Sequence, residues 1–438
     1  MLLKVFVATL FGVAVGASVA CAADATTGER SAAADQAFAQ APPPWTFITG
    51  TEVRYFSWSS NRGTPTNIAP AGGKGGGSEI YVPVAAKLVG KPLDDLKVEM
   101  LVRGGWVWAR QTTAGLTGEV ETSTDTTANA TISYLGLAGF QPFASVSFNF
   151  PTGRSELFGP DANARMDPDL VDVASFGEGF NVGPSFGLSF PITSTLVITA
   201  SGGYTARGQY RRENSLAALD PNVQTETNIN PGDVQTATLS IADKWGPWSA
   251  SVTGTLSWED VTFENGIPLY KPGDRYLVAG TLSYTWANGS LTAVNASFAH
   301  SNRNEVLFAN TPTLIREAMN TNSDLTRIGI QHLIPIDRLT IGPTGSFLYR
   351  NHNGYDSTTL QFVPEKERWA AGFIARYGVS DKFIANARVE HVWTREDDHP
   401  SVGSQMFSVL AGGFVPGSAI PAVSSTGWQA VIGATVRY

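Results

Sequence analysis

The side chains most able to do chemistry fall into two sets. Glu99, Arg103, Arg327, Arg368, Arg376, Arg388 and Glu390 each sit inside a segment that alternates apolar and polar residues. Successive side chains of a strand point to opposite faces, so these charges belong to the face opposite the apolar one. An arginine-rich wall of that kind attracts anionic or carboxylated solutes if it lines a passage. The alternative is that arginine and glutamate pair with each other and brace the wall. The second set lies in Pro151 to Glu178, which carries Arg154, Glu156, Asp161, Arg165, Asp167, Asp169, Asp172 and Glu178. A connection that long is functional or mobile, and this one has the length to fold inward and narrow a passage. Its Asp167-x-Asp169-x-x-Asp172 run lacks the spacing and the glycine of an EF-hand. A solvated acidic loop is the plainer reading, and calcium binding the poorer one.

Catalytic and cofactor chemistry has no comparable signal. The five histidines, His300, His332, His352, His391 and His399, show no metal-ligand spacing such as His-Glu-x-x-His. No Gly-x-Ser-x-Gly elbow occurs. Gly72 to Gly77, with Lys74 inside it, matches no phosphate-binding pattern and reads as a flexible surface loop. The expectation is a protein with no metal, no cofactor and no catalytic site. A serine, a histidine and an acid gathered from separate strands would escape such a scan, so a hydrolase stays open.

The elements that must position these residues are strands. Trp248 to Trp258 puts Trp248, Ala250, Val252, Gly254, Leu256 and Trp258 on one face and Ser249, Ser251, Thr253, Thr255 and Ser257 on the other. Eleven residues is about the length that crosses a bilayer when tilted. The same pattern groups Tyr276, Val278, Leu282, Tyr284 and Trp286; Trp369, Ala371, Phe373, Ala375 and Tyr377; and Phe383, Ala385, Ala387, Val389 and Trp393. Aromatic residues gather at the strand ends, as they do at the two interfaces of a membrane barrel. A soluble β-sandwich also alternates, but its strands are shorter, at about five or six residues.

Short and long connections alternate. Seven are tight turns, among them Asn288-Gly289, a strong hairpin signal. Eight are long, at roughly 59–78, 110–128, 151–178, 209–232, 260–273, 302–322, 350–365 and 395–425. The fold this predicts is all-β: a transmembrane antiparallel up-and-down β-barrel of about sixteen strands, with short periplasmic turns and long extracellular loops. The weaker segments 120–138 and 233–242 leave fourteen or twelve strands open.

Composition agrees with a barrel. Charged residues are 16% of the 438, while hydrophobic residues are 42%, since only every second residue of such a strand must be apolar. A net charge of −8 argues against a nucleic-acid partner. Residues 1–25 read as a signal peptide, with Lys4, an apolar Val5 to Val19 and the small-x-small site Ala20-Cys21-Ala22. Cleavage after Ala22 removes Cys21; the alternative is lipidation at Cys21. Residues 26–44 form a flexible Ala/Pro-rich periplasmic leader, and 45–438 form the barrel. Trp428, Ala430, Ile432, Ala434, Val436 and Tyr438 share one face of the last strand. That run, with Trp428, Ile432, Val436 and the terminal Tyr438, resembles the C-terminal signature that the outer-membrane barrel-assembly machinery recognises, although the usual last residue is Phe. The expected location is the outer membrane of a Gram-negative bacterium, with lipid, the assembly machinery and a small-molecule solute as partners and the oligomeric state open.

The stretch Phe143 to Arg154 ends a strand in Pro151-Thr152-Gly153, a long acidic loop follows, and a Gly/Pro-containing strand, Val182 to Pro191, comes next. This order resembles the family of outer-membrane transporters named for the meta-pathway of phenol degradation. The resemblance implies passage of small organic compounds, often aromatic; it carries over no solute-binding residue. Long-chain fatty-acid transporters carry an N-terminal hatch for which the chain before Trp45 has no room. The expected function is a passive channel, with selectivity set by the inward arginines and the 151–178 loop. The alternative is a non-transporting barrel, either an adhesin or an outer-membrane hydrolase.

Overall fold

In a computed structural model, residues 45–60, 75–113, 116–213, 226–307, 313–357, 362–398, 407–408, 413–414 and 422–438 are described. The expected signal peptide, the leader and Cys21 lie outside the described residues.

Sixteen antiparallel strands close into a barrel. They are β1 (Trp45–Ser60), β2 (Gly75–Leu93), β3 (Leu96–Thr113), β4 (Leu116–Ser123, continuing as Thr126–Tyr134), β5 (Gln141–Phe150), β6 (Asn181–Pro191), β7 (Val197–Arg207) and β8 (Val234–Trp245). Then follow β9 (Trp248–Glu259), β10 (Arg275–Thr285), β11 (Leu291–Ser301), β12 (Leu325–Ile336), β13 (Leu339–Arg350), β14 (Lys366–Ser380), β15 (Phe383–Glu396) and β16 (Val423–Arg437). Each strand pairs with the next. The last pairs with the first from Ile48↔Arg437 to Ser60↔Ser425. Beyond that ladder, the Tyr438 and Phe47 backbones exchange hydrogen bonds at 2.8 and 3.2 Å. Closure leaves no unpaired edge in the wall, the condition for a sheet to stand in hydrocarbon.

The two faces follow from the register. Outward positions carry Val252, Phe373 and Ile432, with 52%, 66% and 68% of their surface exposed. A continuous exposed apolar band of this kind is matched by lipid and not by water. Aromatic clusters border it. Trp248, Tyr284 and Trp286 stack edge to face at the short-turn end, with centroids 4.7 and 4.8 Å apart. Trp393, His391 and Trp428 do the same toward the long-loop end, at 4.3 and 4.7 Å. The expected Trp248–Trp258 strand appears in the expected phase, and the tight turn at Asn288-Gly289 has Gly289 at φ +81°.

Three expectations on local structure are corrected. The long connection expected at 110–128 is a tall hairpin: β3 runs to Thr113 and β4 starts at Leu116. Outside, Trp108 Nε1 donates to Glu119 at 2.8 Å; inside, Val107, Ala109 and Val120 are buried. The inner face is covered by the 151–180 loop and carries apolar residues, while the outer face at Arg110, Thr117, Glu119 and Glu121 is exposed and polar, so the usual apolar-out alternation does not mark this hairpin. The phase slips by one residue at 124–125, since Trp106 faces Ser123 while Arg103 faces Thr127. Gly75, Gly76 and Gly77, expected in a flexible loop, belong to β2 opposite Ser60, Ser59 and Trp58. At Gly77 a Cβ would come within 2.6 Å of the Trp58 indole nitrogen, so only glycine fits. The long loops 208–233, 260–274 and 302–324 contain strands of their own. Tyr210–Glu213, Glu226–Asn230, Thr262–Glu264, Ile267–Lys271, Glu305–Val306 and Ile315–Arg316 pair into a second, six-stranded sheet.

Candidate functional site

The connection between β5 and β6, residues 151–180, folds into the barrel. Its stems are tied at the phase slip of β4. The Asp125 carboxylate accepts from the amides of Gly153 (2.9 Å) and Glu178 (2.8 Å) and from the side-chain amide of Asn149 (2.8 Å). A short 3-10 helix, Gly159–Ala164, then lies against β3 and β4. The apolar residues of the loop, Leu157, Ala164, Met166, Leu170, Val171, Val173 and Phe176, are buried with Phe56, Trp58, Val107, Ala109, Val120, Ala370 and Val392 of the wall. The Trp58 indole N–H points at the Met166 sulfur, 3.4 Å away.

The tip reaches strands half-way round the barrel from its stems. Asp167 and Asp169 both accept from Lys366 of β14, which is fully buried. Asp169 also meets Arg350 of β13 at 3.0 Å and Arg327 of β12 at 3.5 Å. Glu396 of β15 closes the group, 3.7 Å from Lys366 and 3.9 Å from Arg350. Three cations thus face three carboxylates, which is the balance that burial demands. The returning limb is held by β1 and β2. Arg54 lies 3.6 Å from Asp172, stacked over the Tyr81 ring at 5.5 Å. The Glu79 carboxylate accepts from the amides of Asp172 and Val173 at 3.0 and 3.2 Å. A segment touching β1 and β13 at once can only lie inside the closed wall, which fixes the polar face as the lumen.

The expectation of a solvated acidic loop is therefore overturned: Asp167 and Asp169 are 2% and 9% exposed. Asp161 stays half-buried in the 3-10 helix, and Arg154 is exposed. Glu156 is half-buried, near Arg211 and Glu226 of the second sheet. Arg165 turns outward to Glu213 of that sheet at 2.8 Å and to the Ser155 carbonyl at 2.7 Å. Glu213 is buried, which alone would raise its pKa, but Arg165 holds it below the ordinary value. The sequence reading omitted Lys366, Arg350, Arg54, Glu79 and Glu396.

The seven wall charges picked from the sequence share the inward face. Only Arg327 of them touches the loop tip. Glu99 pairs with Lys97. Arg388 lies 3.4 Å from Glu390, which also accepts from Thr344, and Arg368 donates to Gln429 at 3.4 Å. Bracing thus accounts for part of the set. Arg376, opposite Thr340 and Asn386, has no ion-pair partner among the described residues.

The tip responds to acid in a defined direction. Burial alone would raise the Asp169 pKa, but Lys366, Arg350 and Arg327 together hold it below the ordinary aspartate value. A depressed carboxylate stabilises the docked state above its undocked pKa and loses that contribution as pH falls through the docked one. Protease cleavage within 151–178 is therefore expected to stay slow from neutral pH down to about 4, the ordinary aspartate value, and to quicken only below it. Faster cleavage already near pH 6 would contradict this assignment.

No family model and no curated protein matches the chain. Among solved structures, the chain is similar to the COG4313 outer membrane channel from Pseudomonas putida F1, at 13% identity over 60% of this chain and 90% of that one, with a TM-score of 0.39. It is similar to the TodX deltaS2S3 mutant monoaromatic hydrocarbon channel at 14% identity over 92% of each chain, with a TM-score of 0.40. It is also similar to a Pseudomonas aeruginosa FadL homologue at 9% identity over 89% of this chain and 90% of that one, with a TM-score of 0.37.

Proposed function

We propose that the chain is a passive channel of a Gram-negative outer membrane, reached after export, that admits small organic solutes past the inward-folded 151–178 loop. The observation that carries this reading is the loop itself. It is anchored inside a lipid-facing barrel by the buried group of Asp167, Asp169, Glu396, Lys366, Arg350 and Arg327. A loop inside a barrel sets the width and field of its lumen. Arg376, with no ion-pair partner among the described residues, adds positive potential on the inward face of β14, beside Arg388 of β15, whose charge Glu390 partly offsets. This favours anionic solutes, and the resemblance noted in the sequence favours aromatic ones. The chain carries out no catalysis in this reading; His300, His332 and His391 point outward. Outward Trp428, Ile432, Val436 and Tyr438 present the terminal strand to the barrel-assembly machinery.

The test is planar-bilayer recording on the refolded mature chain. Ion conductance is expected, with anions preferred, and replacing Arg376 and Arg388 together by Glu is expected to move the reversal potential toward cations. Absence of conductance, with no swelling of solute-loaded liposomes, overturns the channel reading. The second sheet, which extends the loops beyond the wall, favours an adhesin as the second reading; a silent bilayer together with binding to host or bacterial surfaces would support it.

A further inference from the structure

The inward face of the barrel has two unlike halves. From β12 through β16 and on through β3 it is charged along its length, as at Arg327, Lys366, Arg376, Arg388, Arg54 and Glu99. From β5 through β11, inward charges occur only at the strand ends. Arg207, Glu259 and Arg275 lie at the loop end, the first two paired at 2.8 Å, and Lys244 lies at the turn end. Between them the wall carries no charge and is mostly hydroxylated from β5 to β9, with Phe143, Leu277, Ala279, Leu291 and Ala293 among the inward residues that interrupt it. Its hydroxyls pair across strands: Ser145 with Ser185, Ser189 with Thr199 at 3.0 Å, Ser240 with Thr253 at 2.9 Å, and Thr238 with Thr255 at 3.4 Å.

The loop distinguishes these halves. Apart from its stems and the contacts of Arg165 and the Leu157 amide with Glu213 in the second sheet, the contacts that dock it on the wall fall on β12 to β15 and on β1 to β4. Much of the charge there is matched by carboxylates of the loop or by neighbours on the wall. The opposite wall has no docked segment to serve. Ser145, Thr199 and Ser240 are buried and brace the wall, but Thr238, Thr253 and Thr255 are only partly buried. A hydroxyl that bonds one neighbour keeps a lone pair and can rotate its proton, so these still offer hydrogen bonds to a passing molecule without a charge to desolvate.

We propose that solutes cross at the level of the loop along the hydroxylated wall of β5 to β9, and that this wall is a binding track for the uncharged hydroxyl and carbonyl groups of small organic acids. Arg376 and Arg388, on the other side of the lumen, face their carboxylate. The inference rests on the channel reading and adds the class of solute, a hydroxylated organic acid, and its path. The track works because it is neutral. A wall of fixed charges would hold such a molecule too tightly to release it, whereas hydrogen bonds exchanged between neighbouring hydroxyls let it move on.

The probe is gluconate, compared with chloride in bi-ionic reversal potentials across planar bilayers. A variant with Thr238→Val, Ser240→Ala, Thr253→Val and Thr255→Val removes four hydroxyls at nearly constant volume. The gluconate-to-chloride permeability ratio is expected to fall roughly fivefold, the factor that one net hydrogen bond of about 1 kcal/mol represents, with chloride conductance unchanged. Thr255→Trp, which narrows the same wall, is expected to reduce both currents, and its folding is checked by heat-modified gel mobility. Removing hydroxyls from the other wall, with Thr394→Val and Thr435→Val, both inward on β15 and β16, is expected to leave the ratio alone. An unchanged ratio in the four-site variant, or an equal fall in the control, overturns the track while leaving the channel standing. A wild-type chain without any conductance overturns the channel reading itself.

Discussion

Asp169→Asn is expected to destabilise the protein by about 3–5 kcal/mol, because it leaves fully buried Lys366 and partly buried Arg350 and Arg327 facing only two carboxylates. The loss is local. The apolar side of the loop buries Leu157, Met166, Leu170, Val171, Val173 and Phe176, each contributing about 1.5–3 kcal/mol at most relative to exposure. That sum exceeds the electrostatic loss, so Leu157 and the 3-10 helix stay seated while the tip at 167–169 lifts away. In bilayers the variant should conduct more, with noisier current. Adding Lys366→Met restores the balance, two cations against two carboxylates, and should recover most of the urea midpoint. If the double variant is no more stable than Asp169→Asn, charge balance does not hold the tip.

Phe373→Arg should be the most damaging single change on the outer face. Phe373 lies midway between Trp369 and Tyr377 on β14 and is the outward partner of Pro343 and Val389. A cation at the bilayer midplane costs about 2–4 kcal/mol, falling to about 0–1 near an interface. Tyr377→Arg, at the girdle of the same strand, should therefore fold nearly as well as the natural chain. Urea titration of folding into lipid vesicles measures both; equal costs would mean that the outward face of β14 does not meet lipid.

The sequence was most legible where one face of a strand meets lipid and the other meets water. Trp248 to Trp258 is such a strand, and its phase, length and partners follow from alternation alone. Legibility failed where the loop covers the inner face. Residues 110–128 are predominantly polar on both sides, with Val120 the one large apolar residue among those described that is buried under the loop, so the top of β3 and β4 up to the slip at 124–125 read as a connection. The same fact held a usable sign: Leu157, Met166, Leu170, Val171, Val173 and Phe176 are too apolar for a loop in water. Their side chains signal burial, and Phe56 and Trp58 on the polar face of β1 signal the place. Lys366 and Arg350 escaped notice because they stand at strand ends, beside polar loops that hide the phase. The second sheet was illegible because its strands, at two to five residues, are too short to show a period.

The contacts that seat the loop join remote parts of the chain: Asp167 and Lys366 are 199 residues apart, and Arg54 of the first strand shares the loop with β12 to β15. No hairpin or half-barrel can supply both sets of partners. The seat is complete only once the first and last strands have met, so its free energy is absent while the wall is still being built. Interactions missing from the transition state slow unfolding and leave the folding rate unchanged. The buried charges therefore act late, as a lock on the finished barrel, and contribute to how long it persists more than to how quickly it forms.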